Sequence, residues 1–372
     1  MPHGPLLGVL TLWMGGLASA SCYLPFRFLR QWSWEVYWLV QGIFSYLLAP
    51  VLVAFLLLPG TGAVLRQAPP HTLLLTYIWG LLWGVGALTF GLSIRYLGIA
   101  LGYTVVIGFT TIFGTLAPPL FSGEMPALLH HTPGQVVLLG LGACTIGILL
   151  SGMAGHFKEQ ELGAALKQKT TGEFHFARGV LVAIFSGVMS ACFAYGLASG
   201  RPIAELARHM LRSQGRAGEW QDLPVLVVVL LGGLTSNLVW CAVLLIRNGT
   251  ARQLLRADAE PTAAAGSSSG QAPVQALNYL LCTGVGILWY LQFFFYGIGQ
   301  TEMGKYDFSS WTILMACTLI FSTVWGILLK EWKGTSRRTL RFVGLGLAVL
   351  VLSTVLVGLG NYLAVSVAGA AR

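Results

Sequence analysis

Ten runs of apolar sequence dominate the chain, each close to the roughly 20 residues that an α-helix needs to cross the hydrocarbon of a bilayer. They fall at 4–24, 34–58, 72–94, 97–121, 134–154, 178–198, 223–246, 276–299, 306–329 and 340–363. They are rich in Leu, Val, Gly and Ala, which lets helices approach closely, and none alternates strictly as a membrane barrel strand does. Open strands cannot satisfy their backbone in lipid. The fold class expected is therefore an all-α integral membrane protein with ten transmembrane helices. Composition agrees: 55% of the 372 residues are hydrophobic, 9% are charged, and mean hydropathy is +0.73, too little polar surface to coat a water-soluble globule of this size. The net charge of +9 belongs to Lys and Arg in loops beside a membrane, with no basic aromatic patch for nucleic acid. All six cysteines lie inside apolar runs, so neither a disulfide framework nor a paired metal spacing follows.

The runs are organised as a repeat. GVLTLWMGGLASA at 8–20 matches GVLVAIFSGVMSA at 179–191 without gaps, sharing Gly8/Gly179, Val9/Val180, Leu10/Leu181, Gly16/Gly187, Ser19/Ser190 and Ala20/Ala191. The first run is thus the opening helix of a repeat. LASASC at 17–22 looks like a cleavage site but lacks the basic flank of a secretory signal. Tyr96 to Glu124 and Met303 to Glu331 are spans of equal length, each closing an apolar run with a glutamate. Two inverted five-helix repeats are expected, because an odd number of crossings reverses the second half. The first half covers 1–154, a charged cytoplasmic loop covers 155–177, and the second half covers 178–372. Within the second half, Ile203, Leu206, Ala207, Met210 and Leu211 share a face opposite Arg208 and Arg212, predicting an interfacial helix over 201–213 that lies on the membrane. A flexible loop is expected over 247–275, ending in PTAAAGSSSGQAP. With both termini outside, 15 of the 22 basic residues fall on the inner side, as the positive-inside rule requires, while the four arginines between segments six and seven lie outside.

Polar side chains inside the runs are few enough to enumerate as candidates. Trp289, Gln292, Tyr296 and Gln300 line one face of segment eight, and Trp34, Trp38, Gln41 and Ser45 one face of segment two. An amide in hydrocarbon without a partner costs several kcal/mol, so it faces a cavity or another helix. Rings beside amides suit a sugar, whose C–H face rests on the ring while the amide serves a hydroxyl as donor and acceptor. The same residues also suit interfacial belts and inter-helix bridges, above all Trp32, Trp34 and Trp332 at helix ends, and Asn237 beside Ser236 and Trp240 is open to both readings. No Asp or Glu lies at the centre of a run; the nearest are Glu35 and Asp307, which are candidates for proton coupling. The alternatives are an N-cap or a Lys305 pair for Asp307, and a helix-dipole contact or an Arg30 pair for Glu35. No histidine pair has metal-ligand spacing, and no nucleophile elbow or phosphate loop occurs, so nothing supports an enzyme.

WSWEVYW (32–38), RYLG (95–98), GTLAPP (114–119), WYLQFFFYGIG (289–299), KYDFSSW (305–311) and LLKEW (328–332) resemble the L-rhamnose/proton symporter family of the drug/metabolite transporter superfamily. The resemblance covers about residues 8 to 360. It implies import of a 6-deoxyhexose with proton entry across a bacterial inner membrane, with no cofactor, no metal and no obligate protein partner. It also implies a sugar site with Gln292 and its aromatic neighbours as one wall, and Asp307, Tyr306 and Trp311 at its outer approach. The chain departs from the family pattern at Ala87 and Thr89, where asparagines are expected, and at Gln300, where a histidine is expected. Thr89 enters the site on that ground, and a sugar related to rhamnose stays open. Two other readings remain: a superfamily exporter of amino acids or other small metabolites, and a non-transporting membrane sensor or scaffold.

Overall fold

The computed structural model describes residues 4–97, 99–161, 176–216, 218–256 and 271–370. Much of the two expected loops, over 155–177 and 247–275, lies outside the described residues, and Lys167, Lys169 and the Ser/Gly tract with it. Among the described residues ten helices are long and apolar enough to span a membrane: α1 (Pro5–Ser21), α2 (Trp34–Leu57), α3 (Pro70–Leu97), α4 (Ile99–Phe121), α5 (Thr132–Glu161), α6 (Phe176–Ser199), α7 (Leu223–Asn248), α8 (Gln271–Glu302), α9 (Ser310–Leu328) and α10 (Arg337–Ala370). There is no strand among the described residues. Exposed Leu56, Leu139, Leu181, Val239, Ile246 and Leu280 give the bundle an apolar exterior. The start of α1 and the end of α10 share one end of the bundle, the terminal face, with the opposite face at the other end.

Two irregularities shape the interior. In α2 the turn Phe44–Leu48 is a π-turn just ahead of Pro50, where the missing N–H and the ring would otherwise break the ladder. α9 is entered through a 3₁₀ segment, Gly304–Ser309, in which Tyr306 is non-helical (φ −107°, ψ 43°). Irregular backbone at membrane depth persists only where protein or water satisfies it. Here the Ser309 hydroxyl donates to the Tyr306 carbonyl at 2.6 Å and accepts from Asn361 of α10 at 2.9 Å. α5 continues well past the predicted limit of 154 because its polar end has work on the opposite face. There Glu161 accepts from the Ser336 N–H (2.6 Å), the Ser336 hydroxyl (2.5 Å) and the Thr339 hydroxyl (2.7 Å), tying it to the start of α10.

The helix partners come in matched sets, consistent with the inverted repeat. α1 packs on α8 and α9, α6 on α3 and α4, α5 on α10, and α2 on α7. The glycines aligned in sequence occupy equivalent contacts. A Cβ on Gly16 would stand 2.3 Å from Cys317 Cβ in α9, and one on Gly187 2.5 Å from Phe109 Cβ in α4. Gly8 meets Gly299 of α8, and Gly179 meets Leu97 of α3.

The helix expected to lie on the membrane forms as predicted, at Arg201–Ser213, but its apolar face is occupied by the protein. Ile203, Ala207 and Leu211 are fully buried, and Met210 covers Gly60 beyond the end of α2. It packs against α7 and the short helix Thr61–Gln67. The amphipathic period identified the face correctly and its partner wrongly, because a turn of protein and a bilayer surface ask for the same pattern.

Where α3 crosses α7, a Cβ on Gly80 would lie 2.0 Å from the Val229 carbonyl oxygen, and one on Gly232 2.2 Å from that of Tyr77. Gly80→Ala is expected to destabilise the protein by about 1–3 kcal/mol through overpacking. Gly142→Ala, which meets nothing within 4 Å, should leave it unchanged or gain up to ~1 kcal/mol from helix propensity. Thermal unfolding of both variants in one detergent checks the contrast.

Candidate functional site

Seven aromatic rings meet across the middle of the bundle. Tyr46 is carried there by the π-turn of α2, Trp83 by α3, Phe193 by α6, Trp289, Phe293 and Tyr296 by successive turns of α8, and Trp311 by the first turn of α9. Ring centroids lie 4.7 Å apart for Tyr46–Trp289, 5.5 Å for Trp83–Trp289, 5.0 Å for Trp83–Phe193, 4.3 Å for Phe193–Phe293 and 5.7 Å for the stacked Phe193–Trp311 pair. Tyr296 meets Trp311 edge-on at 5.5 Å. Gly233 of α7 admits the group, since a Cβ there would stand 2.7 Å from the Trp83 ring. Trp311 is fixed by its Nε1–H, which donates to the Thr110 carbonyl of α4 at 3.1 Å. The cluster thus joins α2, α3 and α4 of the first half to α6, α8 and α9 of the second.

Sequence periodicity brought Trp289 and Tyr296 into this cluster, and the remaining candidates distribute around it. Gln292 is buried, and its side-chain amide stays within α8, donating to the Trp289 carbonyl at 2.9 Å, while its backbone carbonyl packs on Gly15 of α1. Gln41 is buried one turn before Tyr46 and accepts from the Ser45 hydroxyl at 3.4 Å. Asn237 is 3% exposed, its amide nitrogen lies against Gly42 beside Tyr46, and that nitrogen has no hydrogen-bond partner. Thr89 lies apart from the rings. Its hydroxyl donates back to the Val85 carbonyl at 3.0 Å, and it lines a lateral groove of about 380 Å³ between α3 and α7 with Ser236 and Trp240. Trp38 is also apart: it stacks on Trp34 at 5.3 Å and faces Tyr23 and Phe26 near the opposite face. The face drawn along segment two is real, but it runs the length of a helix, and only its Gln41 end reaches the centre.

The carboxylates separate by depth. Asp307 stands just above the rings at the terminal face, 28% exposed, and accepts from Arg201 Nη2 through Oδ2 at 3.3 Å and Oδ1 at 3.4 Å. Asp222 precedes α7 with no capping hydrogen bond from its side chain, lies beside Gly297 of α8, and is within electrostatic range of both Arg201 and Asp307. Sequence reasoning missed Asp222 and Arg201 as site residues, because both lie outside the apolar runs. The available signal was an acidic residue abutting segment seven. Lys305, named above as one alternative partner of Asp307, sits over the Tyr306 ring, its Nζ 5.7 Å from the centroid. Glu35 is near the opposite face and buried, accepting from Thr250 (2.7 Å) and Asn248 (3.0 Å) beyond the end of α7. The Arg30 pair given as an alternative for Glu35 is not among the ion pairs of the described residues, and the neighbouring Arg27 pairs with Glu331. Among the described residues no cluster of His, Cys, Asp and Glu could hold a metal ion.

A model of the L-rhamnose-proton symport protein (RhaT) family matches residues 1–363. The chain belongs to the L-rhamnose-proton symporter family. Its similarity to individual members is spread over the whole length. It is 33% identical over 362 residues to an L-rhamnose-proton symporter of Klebsiella pneumoniae, covering 97% of this chain and 99% of that one. It is 35% identical over 348 residues to those of Salmonella gallinarum and Salmonella paratyphi B, covering 93% of this chain and 95% of each. The aromatic cluster and the charged group above it are therefore features of a transporter family member.

Trp311 contributes a stacked ring and one buried hydrogen bond. Trp311→Phe should keep the ring contacts and lose about 1 kcal/mol of stability. Trp311→Ala should lose about 3–5 kcal/mol. Denaturation in detergent, followed by helical circular dichroism, separates the two contributions.

Proposed function

We propose that the chain imports L-rhamnose, or a closely related sugar, by symport with protons. It is a secondary carrier in a bacterial inner membrane, with the halves 1–154 and 178–372 exchanging access to one central site. The observation that carries this reading is the aromatic cluster, flanked by the buried amides of Gln41, Gln292 and Asn237 and overlain by Arg201, Asp307 and Asp222. A pyranose presents an apolar C–H face to a ring and hydroxyls to amides, and the unpartnered Asn237 nitrogen is a donor free to meet one. Trp289, Tyr296, Trp83 and Tyr46 would supply the platform once the rings part. Trp311 would close it from the terminal face. The chemistry requires no cofactor, metal or nucleotide.

Proton coupling follows from the charge count above the rings. One guanidinium serves two carboxylates, so the group carries one acid more than it has cations, and a proton on Asp307 would balance it while loosening Arg201. A symporter needs such a group, responsive to both proton and sugar. Glu35, tied to the end of α7 by two hydrogen bonds, is better suited to holding α2 against α7. With the termini external, the terminal face is the side from which sugar and proton enter, in keeping with the basic residues concentrated on the other side.

Labelled L-rhamnose uptake into proteoliposomes with an inward proton gradient tests the assignment: accumulation above equilibrium is expected, and none without the gradient. In the same vesicles Asp307→Asn should abolish accumulation but preserve sugar binding, whereas Glu35→Gln should still concentrate sugar. An Asp307→Asn variant that concentrates sugar would remove Asp307 as the proton carrier. Asn237→Ala should weaken sugar affinity by about 1–3 kcal/mol without loss of thermal stability. Undiminished affinity would assign Asn237 to helix packing.

A further inference from the structure

Each half ends its fourth helix in the same way. α4 closes at Phe121 and α9 at Leu328, and the third residue beyond each is a glutamate, Glu124 or Glu331. The residue just before the glutamate is left-handed in both, Gly123 at φ 75° and Lys330 at φ 58°. The glutamate N–H then reaches back five residues, from Glu124 to the Pro119 carbonyl at 2.9 Å and from Glu331 to the Gly326 carbonyl at 2.8 Å. These are equivalent turns on opposite faces. A left-handed lysine is strained where the glycine is relaxed, so the turn at Glu331 is maintained by its contacts.

Those contacts form a latch. Glu331 pairs with Arg27, in the stretch that follows α1, and lies 3.8 Å from Lys158 of α5. Trp325 of α9 donates to the Ser21 hydroxyl at the end of α1, closing the same seam at 2.9 Å. On the terminal face the stretch following α6 supplies Arg201, as the stretch following α1 supplies Arg27 on the opposite face; in the register of the aligned glycines Arg201 stands against Arg30, three residues beyond Arg27. Arg201 is paired with Asp307, while the exposed Glu124 stands outside the ion pairs formed among the described residues, although within electrostatic range of Asp307.

We infer that Glu124 is the second partner of Arg201: when the carrier turns over, the Arg27–Glu331 latch opens on one face and Arg201 leaves Asp307 for Glu124 on the other. The inference rests on the alternating-access reading above and extends it to a named pair. In an inverted repeat each half adopts in one state the arrangement that its mate shows in the other. The contact that α9 and the stretch after α1 make in this structure is then the contact that α4 and the stretch after α6 make in the alternate one. Weakening one latch must raise the population of the state that uses the other.

The test needs no sugar. Arg201→Cys with Glu124→Cys is purified in two backgrounds, one with native Glu331 and one with Glu331→Gln, and the rate of bridging by a short water-soluble bifunctional thiol reagent is measured. The six native cysteines are buried, so the introduced pair is the accessible one. Bridging should be at least threefold faster with Glu331→Gln. Should that variant fail to give monodisperse protein, Arg27→Gln removes the same latch from the other side. Equal bridging rates in the two backgrounds, or no bridging in either, would overturn the inference. Wild-type protein that took up no rhamnose would instead count against the proposed solute and leave this readout standing.

Discussion

Everything in this bundle depends on how closely its helices can approach. Between helices in lipid the hydrophobic effect offers no net drive, because acyl chains are as apolar as leucine, so association rests on contact packing and hydrogen bonds. Glycines supply that contact: Gly16 against Cys317, Gly187 against Phe109, and Gly80 against Gly232 and its neighbours. These approaches bring α1 onto α8 and α9, and α6 onto α3 and α4, and they leave the large side chains to gather where the two sets meet. The aromatic cluster is what fills that meeting place.

Charge is scarce, and the ion pairs of the described residues fall at the two faces of the bundle. On the opposite face Glu331, Arg27 and Lys158 form one group, with Lys158 also over the Trp332 ring at 4.6 Å. On the terminal face Arg201 holds Asp307 above the rings. Exposed pairs of this kind contribute little to stability, with a typical value of about 0–1 kcal/mol. Their use is in choosing between arrangements of similar energy, which is what a carrier that must populate two states requires.

The sequence made the helices legible because a bilayer imposes one length and one composition on every crossing, and it made the internal match at Gly8, Gly16, Gly179 and Gly187 legible because those glycines are held in place by contact. It was less informative about which helix each face meets. Trp38 and Gln41 share a face of α2 yet belong to different ends of the molecule, and Thr89 faces a lateral groove away from the rings. Phe193 and Phe293 carry no polar atom, and neither they nor Trp83 have an unusual spacing to distinguish them from ordinary core residues, although the three form the heart of the cluster. Asp222 and Arg201 were passed over for a simpler reason: a search for ions within the apolar runs stops one residue short of the acid and three short of the cation.

The central claim is that the solute sits among these rings, between the two halves. A structure determined with L-rhamnose bound tests it most directly. The account predicts sugar density against Trp289, Trp83 and Tyr46, with a hydroxyl within hydrogen-bonding distance of the Asn237 amide and the rings separated from their present contacts. Density in the groove beside Thr89, or at any position with the ring cluster still packed on itself, would contradict it.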